Sequence, residues 1–338
     1  MPNLWWSVPL SQRIEVLERW LKSSAGLVGP TLEPASSDAS FRRYFRVRHA
    51  GGTHIVMDAP PEREDCRPFV AVARDLAAIG IHVPEIVAED LEQGFLLLTD
   101  LGDQLYLDAL SDDTVERLYG DALGALATLQ VCGPQAYQPP PYDSRLLSEE
   151  LELFREWYLR RQTGLVLGED RERLLDELFG LLVDNALEQP VVLVHRDYHS
   201  RNLMVCDRHN PGVLDFQDAV MGPVTYDLVS LLRDCYIRWP REQVREWALG
   251  YHDLAVQSGI LRDGDEERFL RWFDLMGVQR HLKATGIFAR LHLRDRKSAY
   301  LDHIPRTLGY VGEIAAEYPE LAPLAGLLDE LEERSLAS

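Results

Sequence analysis

Residues 191–218, VVLVHRDYHSRNLMVCDRHNPGVLDFQD, decide how the rest of the chain is read. Val191 to Val194 is a β-branched and leucine run that predicts a buried strand, and it ends on His195, Arg196 and Asp197. Five residues after Asp197 stands Asn202, followed by a second apolar run from Leu203 to Cys206. A polar turn with Asn210, Pro211 and Gly212 then leads through Val213 and Leu214 to Asp215. Pairing 203–206 with 213–216 about that turn sets Asn202 almost opposite Asp215 or Phe216. Facing residues of an antiparallel pair have Cβ atoms roughly 4.5–5.5 Å apart. One small hard cation is therefore expected to touch both side chains.

An amide oxygen and a carboxylate, completed by waters and phosphate oxygens, form a ligand set that Mg²⁺ accepts. Asp197 is not needed as a ligand, which leaves it to orient a hydroxyl and take its proton. His-Arg-Asp, then Asn202, then the Asp215-Phe216 pair follow the order that serves phosphoryl transfer in protein kinases. The plainer alternative is a chance tripeptide with Asp215 as a turn residue, which requires spacing, strand context and the Asp-Phe pair to agree by accident.

The 338 residues suffice for two lobes of ordinary size, each with its own core. With 46% hydrophobic and 27% charged residues the composition is that of a soluble globular protein. A formal net charge of −20 argues against a nucleic-acid or anionic-membrane partner, because phosphate groups repel such a surface. Cys66, Cys132, Cys206 and Cys235 are scattered and form no C-x-x-C pair, so neither a disulfide framework nor a zinc site is expected. The N-terminus lacks a basic start followed by an apolar core, and no apolar run approaches a membrane span. A cytoplasmic monomer is the expectation.

Ser11 is read as the cap of a helix whose Ile14, Leu17, Trp20 and Leu21 share a face. Two strands, Arg43–His49 and Thr53–Met57, are predicted about Ala50-Gly51-Gly52. Before them runs Ser36-Ser37-Asp38-Ala39-Ser40, either an ordinary serine-rich loop or a phosphate loop in which Ser37 and Ser40 approach phosphate with Arg42 or Arg43 as charge partner. Residues 66–79 form a helix with Phe69, Val70, Val72, Ala73 and Leu76 on its apolar face. Gly94 to Gly102 is a buried strand passing into a connector, either a plain core turn or a hinge whose backbone near Thr99 and Leu101 meets an adenine edge.

From Ser111 the pattern is helical, interrupted only by the central hairpin. Leu147–Arg160 puts Glu150, Phe154 and Trp157 on one face, either lining a sugar or amine cleft or packing in the core. Gly222-Pro223-Val224-Thr225-Tyr226-Asp227-Leu228 is read as opening a helix that runs to about Ile237, with Asp227 near its start to complement the helix dipole and brace the catalytic loop. The segment Gln279 to Arg290 gathers positive charge in an otherwise acidic chain, either to meet an anionic group or to neutralise acidic neighbours.

His195-Arg196-Asp197, Asn202, Asp215-Phe216 and the run from Gly222-Pro223 to Tyr226-Asp227-Leu228 resemble the aminoglycoside phosphotransferase family over roughly residues 30–300. SSDASFRRYFRV, VMDAPPE, LLLTDLGD, HRDYHSRNLM and QRHLKATGIFARL are similar to one branch of it, the anomeric amino-sugar kinases of bacterial cell-wall recycling. The resemblance implies an α+β, two-lobed, protein-kinase-like fold. It divides the chain into an N-lobe of residues 1–101, with a small antiparallel sheet, and a mainly helical C-lobe of residues 102–338. It also implies an enzyme that uses ATP and Mg²⁺ to phosphorylate the C1 hydroxyl of N-acetylmuramate and N-acetylglucosamine, giving α-1-phosphates. Asp197 would be the base, Arg196 a brace of the loop, Asn202 and Asp215 the metal ligands. Ser37, Ser40, Arg43, Thr99 and Leu101 would bind nucleotide. For the sugar the candidates are Glu150, Asp218, Arg280 and Lys283, with Arg290 as a further cation for the lactyl carboxylate; His199 is read as structural.

The chain departs from the kinase pattern at one place. The strand that should present a phosphate-binding lysine reads His54-Ile55-Val56-Met57-Asp58, and helix 66–79 offers no glutamate to pair with one. Arg42, Arg43 or Arg46 would supply the charge instead. Other small-molecule kinases of the same fold, acting on an aminoglycoside, choline or homoserine, would keep every catalytic residue. A nucleotide-binding regulator without activity would fit the missing pair but would not need Asp197, Asn202 and Asp215 together.

Overall fold

The computed structural model describes residues 10–36, 42–262 and 264–336. Helix α1 (Leu10–Ser23) is followed by strands β1 (Thr31–Ser36), β2 (Arg43–His49) and β3 (Gly52–Asp58), helix α2 (Arg67–Ala78), and strands β4 (Ile86–Asp90) and β5 (Phe95–Thr99). The five strands form one antiparallel sheet in the order β1-β2-β3-β5-β4. Arg43 faces Asp58 and Tyr44 faces Met57, so the period-2 alternation of a strand assigns each side chain to a face. Phe45, Val47, Val56, Phe95 and Leu97 turn to α1 and pack on Leu17, Trp20 and Leu21. Tyr44, Ile55, Met57, Leu96 and Leu98 turn the other way, into the core shared with α2.

Two details differ from expectation. Ser11 lies inside α1 rather than ahead of it. Strand β1 is additional: Pro34 argues against a strand, yet β1 is the sheet edge, where a residue without an N–H is tolerated. Beside β5, Gly94 has φ +72°, and a Cβ there would meet the Ala59 carbonyl oxygen at 1.8 Å. Glycine is what lets the Gly94 carbonyl accept the Ala59 amide at 2.8 Å.

After β5 the chain is mainly helical. It runs through α3 (Tyr106–Ala109), α4 (Val115–Cys132), α5 (Ser144–Leu153), a π-helical segment (Phe154–Gln162) and α6 (Glu169–Leu187). Four short strands follow, β6 (Val191–Val194), β7 (Leu203–Met204), β8 (Gly212–Val213) and β9 (Val220–Pro223), then α7 (Tyr226–Leu232), α8 (Arg241–Gln257), α9 (Glu266–Asp295), a 3₁₀ turn (Ser298–His303), α10 (Ile304–Ala315) and α11 (Ala322–Leu336). The helix expected to open within Gly222 to Leu228 and run to about Ile237 thus spans only Tyr226 to Leu232, Gly222 and Pro223 belonging to β9. The expected helix Leu147–Arg160 changes to π-helix at Phe154, where α9 presses on it; a Cβ on Gly286 would lie 2.3 Å from the Leu153 carbonyl carbon.

Helix α9, 30 residues long, is the axis of this part of the molecule, and its middle, including Gln279 to Lys283, is buried. The expectation of a separate core for each lobe is corrected. The main apolar cluster runs unbroken from Met57, Phe69 and Leu98 through Phe216 and Phe273 to Leu331, and only the cluster behind the sheet at α1 is private to the N-terminal part. Among the described residues no helix is long and apolar enough to cross a membrane.

Candidate active site

Strand β6 pairs antiparallel with β9, Val194 facing Val220, and delivers His195, Arg196 and Asp197 at its end. The loop is then gripped from below by α7. Both oxygens of the buried Asp227 accept backbone amides, from His195 at 2.6 Å and Arg196 at 2.9 Å. Burial pushes the Asp227 carboxyl up to about 7 despite those two donors. His195 bonds the Leu214 carbonyl through Nε2 at 2.9 Å and accepts the Asp197 amide at Nδ1, 3.2 Å. Burial lowers its own pKa to about 4, so the ring is neutral and acts as a spacer between the loop and the strand before Asp215.

The hairpin is shorter than predicted and shifted in register. Leu203 faces Val213 and Met204 faces Gly212, and the Leu214 amide bonds the Asn202 carbonyl at 2.9 Å. Asn202 therefore lies across from Leu214, the neighbour of Asp215. Asp215 takes φ +61°, a left-handed conformation that its short polar side chain tolerates. Both residues line the same cavity. Asn202 Nδ2 donates to the Asp197 carbonyl at 2.9 Å, which turns its donor end inward to the loop and leaves Oδ1 as the acceptor end. Gln217 Nε2 donates to Asp215 at 2.8 Å and to Asp218 at 3.3 Å. An amide oxygen and a carboxylate fit a partly hydrated Mg²⁺ completed by phosphate oxygens, and no cluster of three or more His, Cys, Asp or Glu able to hold a metal exists among the described residues.

A buried charge cluster lies beneath the loop. Glu150 accepts from Arg196, from Tyr142 and, at 2.9 Å, from Lys283 Nζ, which also donates to Tyr226 at 2.8 Å. Glu150 is thus consumed by its partners and does not line the cavity. Arg196, at φ +77°, spans from this cluster to the Asp218 carbonyl. Burial would raise the Asp197 carboxyl, but the charges of Lys283, His199, Arg280 and Arg196 outweigh it and hold Asp197 below the usual carboxylate range. Asp197 is ionised at neutral pH.

The structure brings Asp197, Asn202, Asp215, Thr99, Leu101, Arg280 and Lys283 to one cavity of about 580 Å³. Thr99 has its N–H already bonded to the Glu85 carbonyl. Arg43 is on the opposite face of the sheet, paired with Asp58, which also binds Arg13. Asp218 is exposed beside the cavity, and Arg290 is half-buried outside it. Ser37 and Ser40 lie outside the described residues. Of the three candidate replacements for the lysine, Arg46 is bound to Asp100 at 2.8 Å, Arg43 faces away, and Arg42 reaches Glu64 at 3.3 Å and Asp215 at 4.0 Å. Glu64 was not found from sequence because it precedes α2 instead of lying in it.

The cavity has a second wall that the sequence did not announce. Tyr236, Phe288 and Tyr300 line it together with Arg201 and His199, and the Arg201 guanidinium lies 4.7 Å over the Tyr236 ring. These positions are scattered from residue 199 to residue 300, and only folding gathers them.

Fold and site define a phosphotransferase. The sequence profile of the phosphotransferase enzyme family matches residues 31–272, and the chain belongs to that family. It is 50% identical to the N-acetylmuramate/N-acetylglucosamine kinase of Pseudomonas putida over 302 residues, 89% of this chain and 88% of that protein. It is 40% identical to the protein of the same name from Neisseria meningitidis, over 95% of this chain and 96% of that one. Among solved structures, a choline kinase from Cryptosporidium parvum superposes with a TM-score of 0.61 at 11% identity, covering 94% of this chain and 98% of that one. A choline kinase from Streptococcus pneumoniae gives 0.60 at 10% identity, covering 91% and 100%. At these identities the likeness establishes the two-lobed kinase-like fold alone.

Proposed function

We propose that the protein transfers the γ-phosphoryl group of ATP to the anomeric hydroxyl of N-acetylmuramate and N-acetylglucosamine. The observation that carries this reading is a single cavity lined by an ionised Asp197, by the connector Thr99–Asp103 and by an aromatic wall, in a chain half identical to a kinase named for these two sugars. The apolar surfaces of Tyr44, Ile55 and Leu98 suit a purine, and Tyr236, Phe288 and Tyr300 suit the apolar faces of a pyranose.

Asp197 aligns the hydroxyl and takes its proton as the hydroxyl oxygen bonds to the γ-phosphorus; the bond from that phosphorus to the β,γ-bridging oxygen breaks and ADP leaves. An anomeric hydroxyl is somewhat more acidic than an ordinary alcohol, so positioning contributes more than basicity. Asn202 and Asp215 would hold Mg²⁺, which when bound neutralises charge on the phosphate oxygens. Arg42, held by Glu64 and close to Asp215, takes the place of the absent lysine at the phosphates. Arg196 and Asp227 fix the loop and do not touch the reacting atoms.

The test is ATP turnover coupled to ADP release with N-acetylmuramate, N-acetylglucosamine, glucose, an aminoglycoside and choline as acceptors. Turnover with the two amino sugars supports the reading. Turnover with only the aminoglycoside or choline keeps the catalytic residues and overturns the substrate, and ATP binding without turnover overturns the enzyme.

A further inference from the structure

We propose that Arg201 is the receptor for the carboxylate of N-acetylmuramate and so sets the preference between the acidic and the neutral sugar. The inference rests on the amino-sugar reading above and deepens it. Among the described residues four cations line the cavity from the two lobes: Arg46, Arg201, Arg280 and Lys283. Arg46 is neutralised by Asp100, at 2.8 and 3.0 Å. Lys283 is held by Glu150 at 2.9 Å, a carboxylate it shares with Arg196, and donates to Tyr226, and its charge acts on Asp197. Arg280 is buried, with Nη1 on the Cys235 sulfur at 3.7 Å. Arg280, like Arg201, makes no ion pair among the described residues, and its buried Nε has no hydrogen-bond partner; Arg201 differs from all three in being exposed, and so can meet a hydrated carboxylate without first being uncovered.

Its one contact of note is with Tyr236. A ring 4.7 Å from the guanidinium carbon restrains the side chain without cancelling its charge. Tyr236 is in turn packed edge-on by His199 at 5.3 Å and His303 at 4.8 Å, so the platform under the guanidinium is itself fixed. The result is a preorganised planar donor whose fork matches a carboxylate. Arg201 belongs to the aromatic wall, with Tyr236, Phe288 and Tyr300, and the purine wall of Tyr44, Ile55 and Leu98 is contributed by the sheet. Asp197 and Arg201 line the same cavity, so one sugar can meet both. The neutral sugar lacks an anion for Arg201; the lactyl ether of N-acetylmuramate supplies one.

The experiment compares kcat/KM for N-acetylmuramate, its uncharged carboxamide analogue and N-acetylglucosamine, at saturating ATP, in the wild type and in Arg201→Ala and Arg201→Lys. Charge-assisted contacts of this kind predict that the ratio of acidic to neutral sugar falls about 10- to 100-fold in Arg201→Ala. Arg201→Lys should fall between the two, and the wild type should discriminate against the carboxamide by a similar factor. An unchanged ratio, or equal losses on both sugars with a raised KM for ATP, overturns the role of Arg201 and assigns it to the loop or the phosphates. The carboxamide measurement needs no variant, so a misfolded Arg201→Ala does not blunt the test. A wild type inactive on both sugars overturns the substrate reading itself, and this inference with it.

Discussion

Asp227 holds the Arg196 amide at 2.9 Å, and Arg196 is the residue immediately before Asp197. Arg196 stands at φ +77°, a conformation that costs a non-glycine residue roughly 1–2 kcal/mol. The second Asp227 oxygen takes the His195 amide at 2.6 Å, so one buried carboxylate fixes the strained turn that presents Asp197. Asp227→Asn keeps the size but leaves one acceptor oxygen for two amides. Unfolding free energy should drop by about 1–3 kcal/mol, with a loss of turnover of about tenfold or more as the loop loosens. Urea denaturation and coupled turnover measure both, and wild-type values would remove Asp227 as the brace.

Asp197→Asn should leave nucleotide affinity nearly intact while lowering kcat by ~10²-fold or more. Calorimetric titration with ATP alongside steady-state kinetics separates the two effects. Unchanged kcat would exclude Asp197 as the base.

Asp215→Ala should abolish the part of ATP binding that depends on Mg²⁺, since the variant keeps only the Asn202 oxygen of the proposed ligand pair. Titrating ATP with Mg²⁺ and again with EDTA measures the difference. Equal metal dependence in variant and wild type would move the metal elsewhere.

Lys283 favours the ionised form of Asp197 against burial, which acts the other way. In the proposed mechanism Asp197 works ionised, so activity is lost as pH falls through its pKa. Lys283→Met removes a positive charge and raises that pKa, and the acid limb of the kcat/KM profile should move to higher pH. A variant whose acid limb stays in place or moves to lower pH contradicts this arrangement.

Arg42→Ala should raise KM for ATP about tenfold or more with a smaller effect on KM for the sugar, and Arg42→Lys should recover part of the loss. Losses confined to the sugar would shift the role of Arg42 from phosphate to acceptor.

How far the sequence carried depends on whether the signal was local. The strand Val191–Val194, the spacing from Asp197 to Asn202 and the Asp215-Phe216 pair are contiguous, and the fold and the gathering of Asp197, Asn202 and Asp215 at one cavity follow from them. What failed involved partners distant in sequence. The face of β2 on which Arg43 lies became visible only with the register against Asp58. Glu150 looked like a cleft carboxylate until Arg196 and Lys283, 46 and 133 positions away, closed on it. The hairpin slipped because β7 and β8 are two residues each, too short for hydrophobic pattern to set their register. Arg201 sat in plain view beside Asn202, but its meaning depends on Tyr236 beneath it.

The central claim is phosphorylation at C1, and the most direct measurement is a ³¹P–¹H correlation spectrum of the product formed from N-acetylmuramate and ATP. The account predicts a phosphorus resonance coupled to the anomeric proton, with the small H1–H2 coupling of an α-1-phosphate. A phosphorus coupled instead to the C6 methylene protons would place the transfer on another hydroxyl and contradict it.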